Sequence, residues 1–142
     1  VYYARIWHTA GRPEEAVQEA RRALSLGQSA PHVNVYGLAV LAKALLDLGD
    51  IDDAREPIDE AMLELDGLGG VEAGESFVRL TYAEVLQASG DALRAKRAIV
   101  AARARILERA ELISSNEWRT SFLERVDENA RTFQLAMEWG VG

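Results

Sequence analysis

Few residues in this chain have side chains that could carry chemistry. His8 and His32 are its two histidines, and neither lies in a Glu-x-x-His or His-x-x-x-His pattern that would place two metal ligands on one helix face. The chain has no cysteine, which excludes disulfides, thiolate catalysis and thiolate metal sites. The sequence therefore predicts no metal site.

The carboxylates are numerous but are not arranged for catalysis. The stretch "DLGDIDD" at 47–53 lacks the alternate ligand spacing and later Glu of a calcium loop, and its aspartates are better explained as helix caps. The stretch "GLGG" at 67–70 is followed by no Lys-Ser/Thr pair and is preceded by no strand pattern, so it is not a phosphate loop. We therefore expect no catalytic residue, no cofactor and no enzymatic activity.

Composition limits the class of protein. The 142 residues suit one domain, and 49% apolar with 27% charged residues is typical of a folded protein. The most apolar stretch, "VYGLAVLAKALLDLG", is interrupted by Lys43 and Asp47, so no membrane span is expected. The net charge of −7 disfavours nucleic-acid and anionic-membrane partners. The lack of cysteine and of a signal-like start predicts a cytoplasmic location, and the structured-looking first residues suggest a piece of a longer protein.

Three glycines lie at the centre of an internal repeat. Each has Ala at +5 and +12, Ala at −7 and a large apolar residue at −4. The glycines are Gly11, Gly49 and Gly90. A Gly in this place accepts the left-handed backbone that ends a helix, and small alanines on one face let two helices approach closely. The repeat therefore predicts helical hairpins that turn at these glycines.

This pattern resembles the tetratricopeptide repeat (TPR) family over roughly residues 1–107. The Gly-to-Gly spacings of 38 and 41 exceed the usual 34, which longer helices would accommodate. The resemblance implies an all-α, right-handed superhelical solenoid of antiparallel helix pairs with a C-terminal capping pair. We expect a single domain with repeats at about 1–28, 29–68 and 69–113 and capping helices at 114–140. The expected helices span about 1–10, 13–26, 31–48, 52–66, 72–89, 92–113, 115–125 and 128–139.

Several local features carry their own predictions. Asp50 and Asp91 are expected to cap the helices that follow them, and Ser114 with Glu117 and Asp127 are expected to begin the last two helices. Pro57 falls within a return helix. It either bends that helix or faces the surface at a slightly later helix start, and we favour the surface position.

The charged residues are unevenly distributed. Eleven acidic residues and one basic residue lie between 47 and 75, whereas six basic residues and one acidic residue lie between 94 and 109. The two regions are either patches for a basic and an acidic partner, or two solvated helix faces that attract each other, which we favour.

In TPR arrays the first helix of each unit lines a concave groove, so the resemblance implies a protein–protein interaction or scaffolding module. Transferred to this chain, the groove positions lie at −13, −10, −6 and −3 from each Gly. The groove residues so expected are Arg5, His8, Tyr36, Lys43, Phe77, Glu84 and Gln87. Tyr36 and Phe77 share one repeat position, and they are either anchors for a partner segment or packing between repeats.

The tail, "ISSNEWRTSFLERVDENARTFQLA", resembles the closing segment of TPR arrays in large bacterial signalling proteins that carry a Ser/Thr kinase or predicted ATPase upstream. Its large apolar residues are expected in the core of a capping pair. They are Trp118, Phe122, Phe133 and Trp139. Two alternatives to partner binding stay open. They are a homodimer formed through the first helix pair or the capping pair, and regulation in cis of an attached kinase or ATPase.

Overall fold

A computed structural model describes residues 10–26, 31–71 and 74–142, and within these ranges the chain forms seven helices and no strand. The helices are α1 (Pro13–Ser25), α2 (Pro31–Asp47), α3 (Ile51–Leu68), α4 (Glu75–Ala88), α5 (Ala92–Glu111), α6 (Asn116–Arg125) and α7 (Asp127–Glu138). The predicted all-α helical repeat is confirmed, with helix ends within three residues of expectation. The predicted helix at 1–10 lies almost entirely outside the described residues. None of the described helices is long and apolar enough to cross a bilayer.

Two of the repeat glycines make the same hairpin turn. Gly49 and Gly90 have φ of 83° and 86°, the left-handed region that favours Gly. After Gly49, the Asp50 N–H donates to the Leu45 carbonyl at 2.9 Å and the Gly49 N–H to the Leu46 carbonyl at 3.0 Å. The Gly90 turn repeats both bonds at equivalent positions. This Schellman pattern satisfies carbonyls that the helix end would otherwise leave free.

Two predicted helix starts need correction. Asp91 caps α5 by accepting the Arg94 N–H at 3.2 Å, as expected, but Asp50 makes no side-chain cap bond to α3. The cap of α6 is Ser115 rather than Ser114, since Ser115 has the extended backbone of an N-cap and accepts the Trp118 N–H at 3.3 Å. Asp127 is the first residue of α7, as expected, and its charge there is favourable at the helix N-terminus.

Alanine lies where the helices pack most closely. All three alanines at +5 from the repeat glycines are fully buried, as are three of the five described alanines at +12 and −7. The fully buried members are Ala16, Ala42, Ala54, Ala61, Ala83 and Ala95. Around them, α2 packs on α1, α3 and α4, and α4 packs on α3 and α5. One hydrophobic core therefore runs through α1 to α4.

Pro57 is buried in the interior of α3, so the surface position expected for it is wrong. The helix begins at Ile51, six residues earlier, with the Ala54 N–H already donating to the Asp50 carbonyl at 3.0 Å. Because Pro has no N–H, the Asp53 carbonyl lacks the bond that residue 57 would normally donate. The apolar ring is accommodated by packing rather than by solvent.

The final helices cover the end of the repeat core. Leu135 and Ala136 of α7 pack with Leu80 and Ala83 of α4 and with Ile99 of α5. The short helix α6 has no buried residue, since it lies mainly along α7 and makes few contacts elsewhere.

The aromatic residues of this tail are less buried than expected. Trp118, on α6, is 70% exposed, so its expected core position is wrong. Phe122, Phe133 and Trp139 are half-buried. A single helix, α7, therefore covers the apolar face that a capping pair was expected to share.

The close approach of helices at alanine can be tested by overpacking. Ala95→Leu should lower the free energy of unfolding by about 1–3 kcal/mol, because the added carbons have no space at a fully buried contact. Ala101→Leu, on the exposed side of the same helix, is the control and should stay within about 0.5 kcal/mol. Urea denaturation measures both, and equal effects of the two changes would contradict the packing argument.

Candidate functional site

The predicted groove residues of the second and third units lie along the contact between α2 and α4. Lys43 Nζ lies 3.5 Å from Glu84 Oε2 and 3.5 Å from Asp47 Oδ1. The Lys43 and Glu84 side chains are 19% and 17% exposed, so each presents a small polar surface to solvent. Gln87, near the end of α4, is exposed. We name the set Tyr36, Lys43, Glu84 and Gln87, which lie on the neighbouring helices α2 and α4, the α2–α4 face.

Tyr36 and Phe77 meet at the other end of this face. Their ring centroids are 5.5 Å apart with the planes at 73°, an edge-to-face contact. Phe77 is 3% exposed, whereas Tyr36 is half-buried. Of the two aromatics, Tyr36 is therefore the partly exposed one, and Phe77 packs against it from the core.

A close backbone approach holds the Tyr36 ring. Gly74 precedes α4 with φ of 85°, and a Cβ there would lie 3.0 Å from Tyr36 Cδ2. Gly74 therefore serves two purposes: its left-handed backbone starts the helix, and its missing side chain leaves space for the ring. Arg5 and His8, the groove residues expected from the first unit, lie outside the described residues.

A buried carboxylate that the sequence did not predict lies at the start of α4. Glu75 is 1% exposed, and its carboxylate accepts from Arg79 Nε at 2.9 Å, Arg105 Nε at 2.9 Å and Arg109 Nη2 at 3.1 Å. It also accepts the Val71 N–H at 3.1 Å, and Arg109 donates to the Val71 carbonyl. This Glu75 cluster fastens the residues after α3 to both α4 and α5.

The electrostatic balance at Glu75 favours the charged carboxylate. Burial raises its pKa, but hydrogen bonds from Arg79 and Val71 and the charges of Arg79 and Arg105 more than offset burial, so the pKa of Glu75 lies below its ordinary value. The sequence offered only the i,i+4 spacings of Glu75–Arg79 and Arg105–Arg109 as a signal. Contacts across 30 and 34 residues could not be read from it.

The described residues contain no group of three or more His, Asp or Glu side chains that could hold a metal ion. The features of the α2–α4 face are an aromatic ring, a half-buried ion pair and an exposed amide. Such groups can recognise another molecule through packing and hydrogen bonds.

Comparison with known families agrees with this geometry. A tetratricopeptide repeat model matches residues 1–22 and 35–56, the second of which covers most of α2, the Gly49 turn and the start of α3. These two segments are similar to tetratricopeptide repeats. No curated protein and no solved structure shows significant similarity to the chain. Tetratricopeptide repeats generally mediate protein–protein interaction and scaffolding, and domains built from them are typically non-catalytic.

The unequal burial of the two aromatics predicts unequal losses. Phe77→Ala should lower the free energy of unfolding by about 3 kcal/mol or more, because it leaves a cavity in the core. Tyr36→Ala should cost less, since part of that ring is already in solvent. Chemical denaturation of the two variants checks the order, and a larger loss for Tyr36→Ala would contradict the assigned roles.

The Glu75 cluster predicts a defined pH dependence. Because the pKa of Glu75 is lower in the folded protein, its stabilisation is present above the ordinary carboxyl value of 4.5 and is lost as pH falls below it. At neutral pH, Glu75→Gln should cost about 3 kcal/mol, since it leaves three arginines around a neutral amide.

Asp59→Asn is the matched control, because it removes an exposed partner of Arg55 and should cost under about 1 kcal/mol. Urea denaturation between pH 3 and pH 7 compares the variants with the parent chain. The difference between parent and Glu75→Gln should shrink toward the acid end, and a constant difference would exclude the proposed linkage.

Proposed function

We propose that the chain is an interaction module that binds a segment of a partner protein along the α2–α4 face. The main support is the alignment of Tyr36, Lys43, Glu84 and Gln87 along two adjacent helices, each the first helix of a Gly-turn hairpin. Repeats of this family generally bind proteins. The predicted residues Arg5 and His8 would extend the same face, as the repeat register implies.

The chemistry of the face describes what a partner segment would need. The exposed part of the Tyr36 ring offers a flat apolar contact with a hydroxyl, and Phe77 holds that ring without being accessible itself. An apolar or aromatic side chain of the partner would pack there. Tyr is favoured at binding surfaces because it supplies area with few rotamers to immobilise.

The polar end of the face would set the position of the segment. Lys43 and Glu84 already pair with each other, so a partner group gains little energy by approaching them but is restricted in charge and direction. Gln87 is exposed and offers amide donors and an acceptor. Affinity would therefore come mainly from Tyr36, and register from the polar residues.

The tail resemblance supports a further proposal about setting. We place the module within a larger cytoplasmic signalling or regulatory protein of a bacterium. In that setting the bound segment could belong to another protein or to a kinase or ATPase attached to the same chain. The α2–α4 face would serve either case by the same contacts.

A peptide display selection tests the proposal for a partner segment of any sequence. Random peptides are selected on the whole chain, and calorimetry measures the binding of the enriched sequences to variants. Tyr36→Ala should weaken binding by about 1 kcal/mol or more, because an aromatic anchor is lost. Tyr36→Phe, which keeps the ring, should retain most of the affinity.

Arg131→Ala, an exposed change on α7, is the matched control and should bind like the parent. Thermal melting of each variant separates a binding loss from unfolding. Enriched peptides that bind Tyr36→Ala as tightly as the parent would exclude this face as the binding site.

A further inference from the structure

The outer side of α3 is an acidic surface with an apolar floor. A cavity of about 340 Å³ lies between α1 and α3, with Pro57 and three leucines of α2 among its lining residues. The leucines are Leu38, Leu41 and Leu45. The carboxylates that line the cavity are Asp52, Asp53, Glu56 and Glu60, and Arg21 is the lining residue of opposite charge. Four carboxylates and one guanidinium leave the cavity with a negative surplus.

These four carboxylates are not neutralised by the described parts of the chain. None of them forms an ion pair there, whereas Asp59 on the same helix pairs with Arg55 at 3.0 Å. Further along α3, Leu63 and Leu68 are 75% and 45% exposed. Leu63 lies seven residues after Glu56 and so on the same side of the helix, which therefore offers uncompensated negative charge at its start and an exposed apolar side chain further along.

The outer side of α5 has the opposite charge at its start and a similar apolar stripe. Leu93, Val100 and Leu107 are 62%, 46% and 37% exposed and lie seven residues apart, which places them on one face of the helix. Lys96 and Arg97 are exposed beside them and form no ion pair within the described residues. This face is basic and amphipathic, and no described element covers it.

We propose that a second copy of this chain covers both surfaces, with α5 of one copy lying on α3 of the other. The two helices are the second members of successive hairpins, so residues at equal offsets from Gly49 and Gly90 correspond. In that register Asp53 corresponds to Arg94 and Glu56 to Arg97. A parallel pairing of α3 with the partner's α5 therefore sets opposite charges against each other.

The same register also brings the apolar residues together. Leu63 of α3 lies 14 residues after Gly49 and Leu107 of α5 lies 17 residues after Gly90, so in this register the two exposed leucines are within about one helical turn of each other. Because every copy carries both surfaces, a two-fold dimer makes the contact twice and leaves neither surface free.

The attraction between the two charged regions that the charge pattern favoured is present in part, because Glu75, at the end of the acidic region, pairs with Arg105 and Arg109 of the basic region. No ion pair joins α3 to α5 in the part of the chain that the structure describes, and the α5 arginines that pair across helices bind Glu75 of α4. The complementary charges are thus available to a second molecule. The contact lies on α3 and α5 rather than on the first helix pair or the capping pair, and it does not involve the α2–α4 face.

Charge reversal on each surface tests the pairing. Sedimentation equilibrium at low salt should show a dimer of the parent chain, and added salt should weaken it because the charges are screened. Glu56→Lys with Glu60→Lys, or Lys96→Glu with Arg97→Glu, should weaken the dimer by at least about tenfold, since like charges then face each other.

An equal mixture of the two double variants is the decisive sample. In a mixed dimer, the charge-reversed α3 of one variant, now basic at its two changed positions, packs on the charge-reversed α5 of the other variant, now acidic at its two changed positions. At the second contact the unaltered α5 of the first variant packs on the unaltered α3 of the second. Opposite charges therefore face each other at both contacts. The mixture should therefore associate at least about tenfold more tightly than either variant alone. Dissociation at the same concentration as the separate variants would overturn the proposal.

Control variants show whether a change in dimerisation comes from this interface. Glu124→Lys with Glu138→Lys makes the same charge change on exposed positions of α6 and α7 and should leave the dimer unchanged. Tyr36→Ala should also leave it unchanged, so failure of the peptide-binding proposal and failure of this one give different results. Circular dichroism melts check that every variant is folded.

A synthetic basic helix tests whether the acidic surface of α3 is occupied by a second copy of the chain or by a different molecule. The chain is titrated with a fluorescent synthetic helical peptide of alternating Leu and Lys. A chain that is monomeric at low salt and binds this peptide through Glu56 and Glu60 would show that the occupant is a foreign helix, and the second-copy proposal would be wrong. A parent chain that stays monomeric without binding the peptide overturns it equally.

Discussion

The architecture depends on how closely two helices can approach at alanine beside a glycine turn. Ala54 and Ala95, five residues after their glycines, are fully buried, and the turns at Gly49 and Gly90 use the same two backbone bonds. A larger side chain at the alanines would separate the helices, and a residue with a Cβ at the glycines would strain the turn. Because both requirements recur at one spacing, each hairpin presents equivalent positions, and the α2–α4 face is a consequence of that register.

Local rules explain why the helices and turns could be predicted from the sequence. A glycine that ends a helix and an alanine that packs against its neighbour act within a few residues, so Gly49 and Gly90 identified their hairpins directly. The cap at Ser115 differs from the prediction because adjacent serines have the same side-chain chemistry, so residue type could not decide which of them accepts the helix N–H. Pro57 differs because its helix begins six residues earlier, and burial then accommodates a residue that local propensity places at a helix start.

Features that depend on distant contacts could not be predicted in the same way. Glu75 is charged and was expected on a surface, yet three arginines from two helices make its burial favourable. Their positions are known only once α4 and α5 are packed. The candidate site shows the same difference between what the local sequence predicts and what depends on distant packing. The register predicted that Tyr36 and Phe77 occupy equivalent places, but only packing shows that Phe77 lies in the core while Tyr36 is half-buried.

The repeat also explains why the two outer faces differ in charge. Equivalent positions must keep the small buried alanines, but nothing in the packing constrains the exposed residues of the second helix in each hairpin. Glu56 and Arg97 occupy equivalent exposed positions with opposite charge, and neither has an ion-pair partner in the described chain. Solubility requires charge of some kind at these positions but does not require opposite signs on successive units. Opposite signs beside the exposed leucines of α3 and α5 are what contact between copies of one chain requires, because each copy then supplies both complementary surfaces.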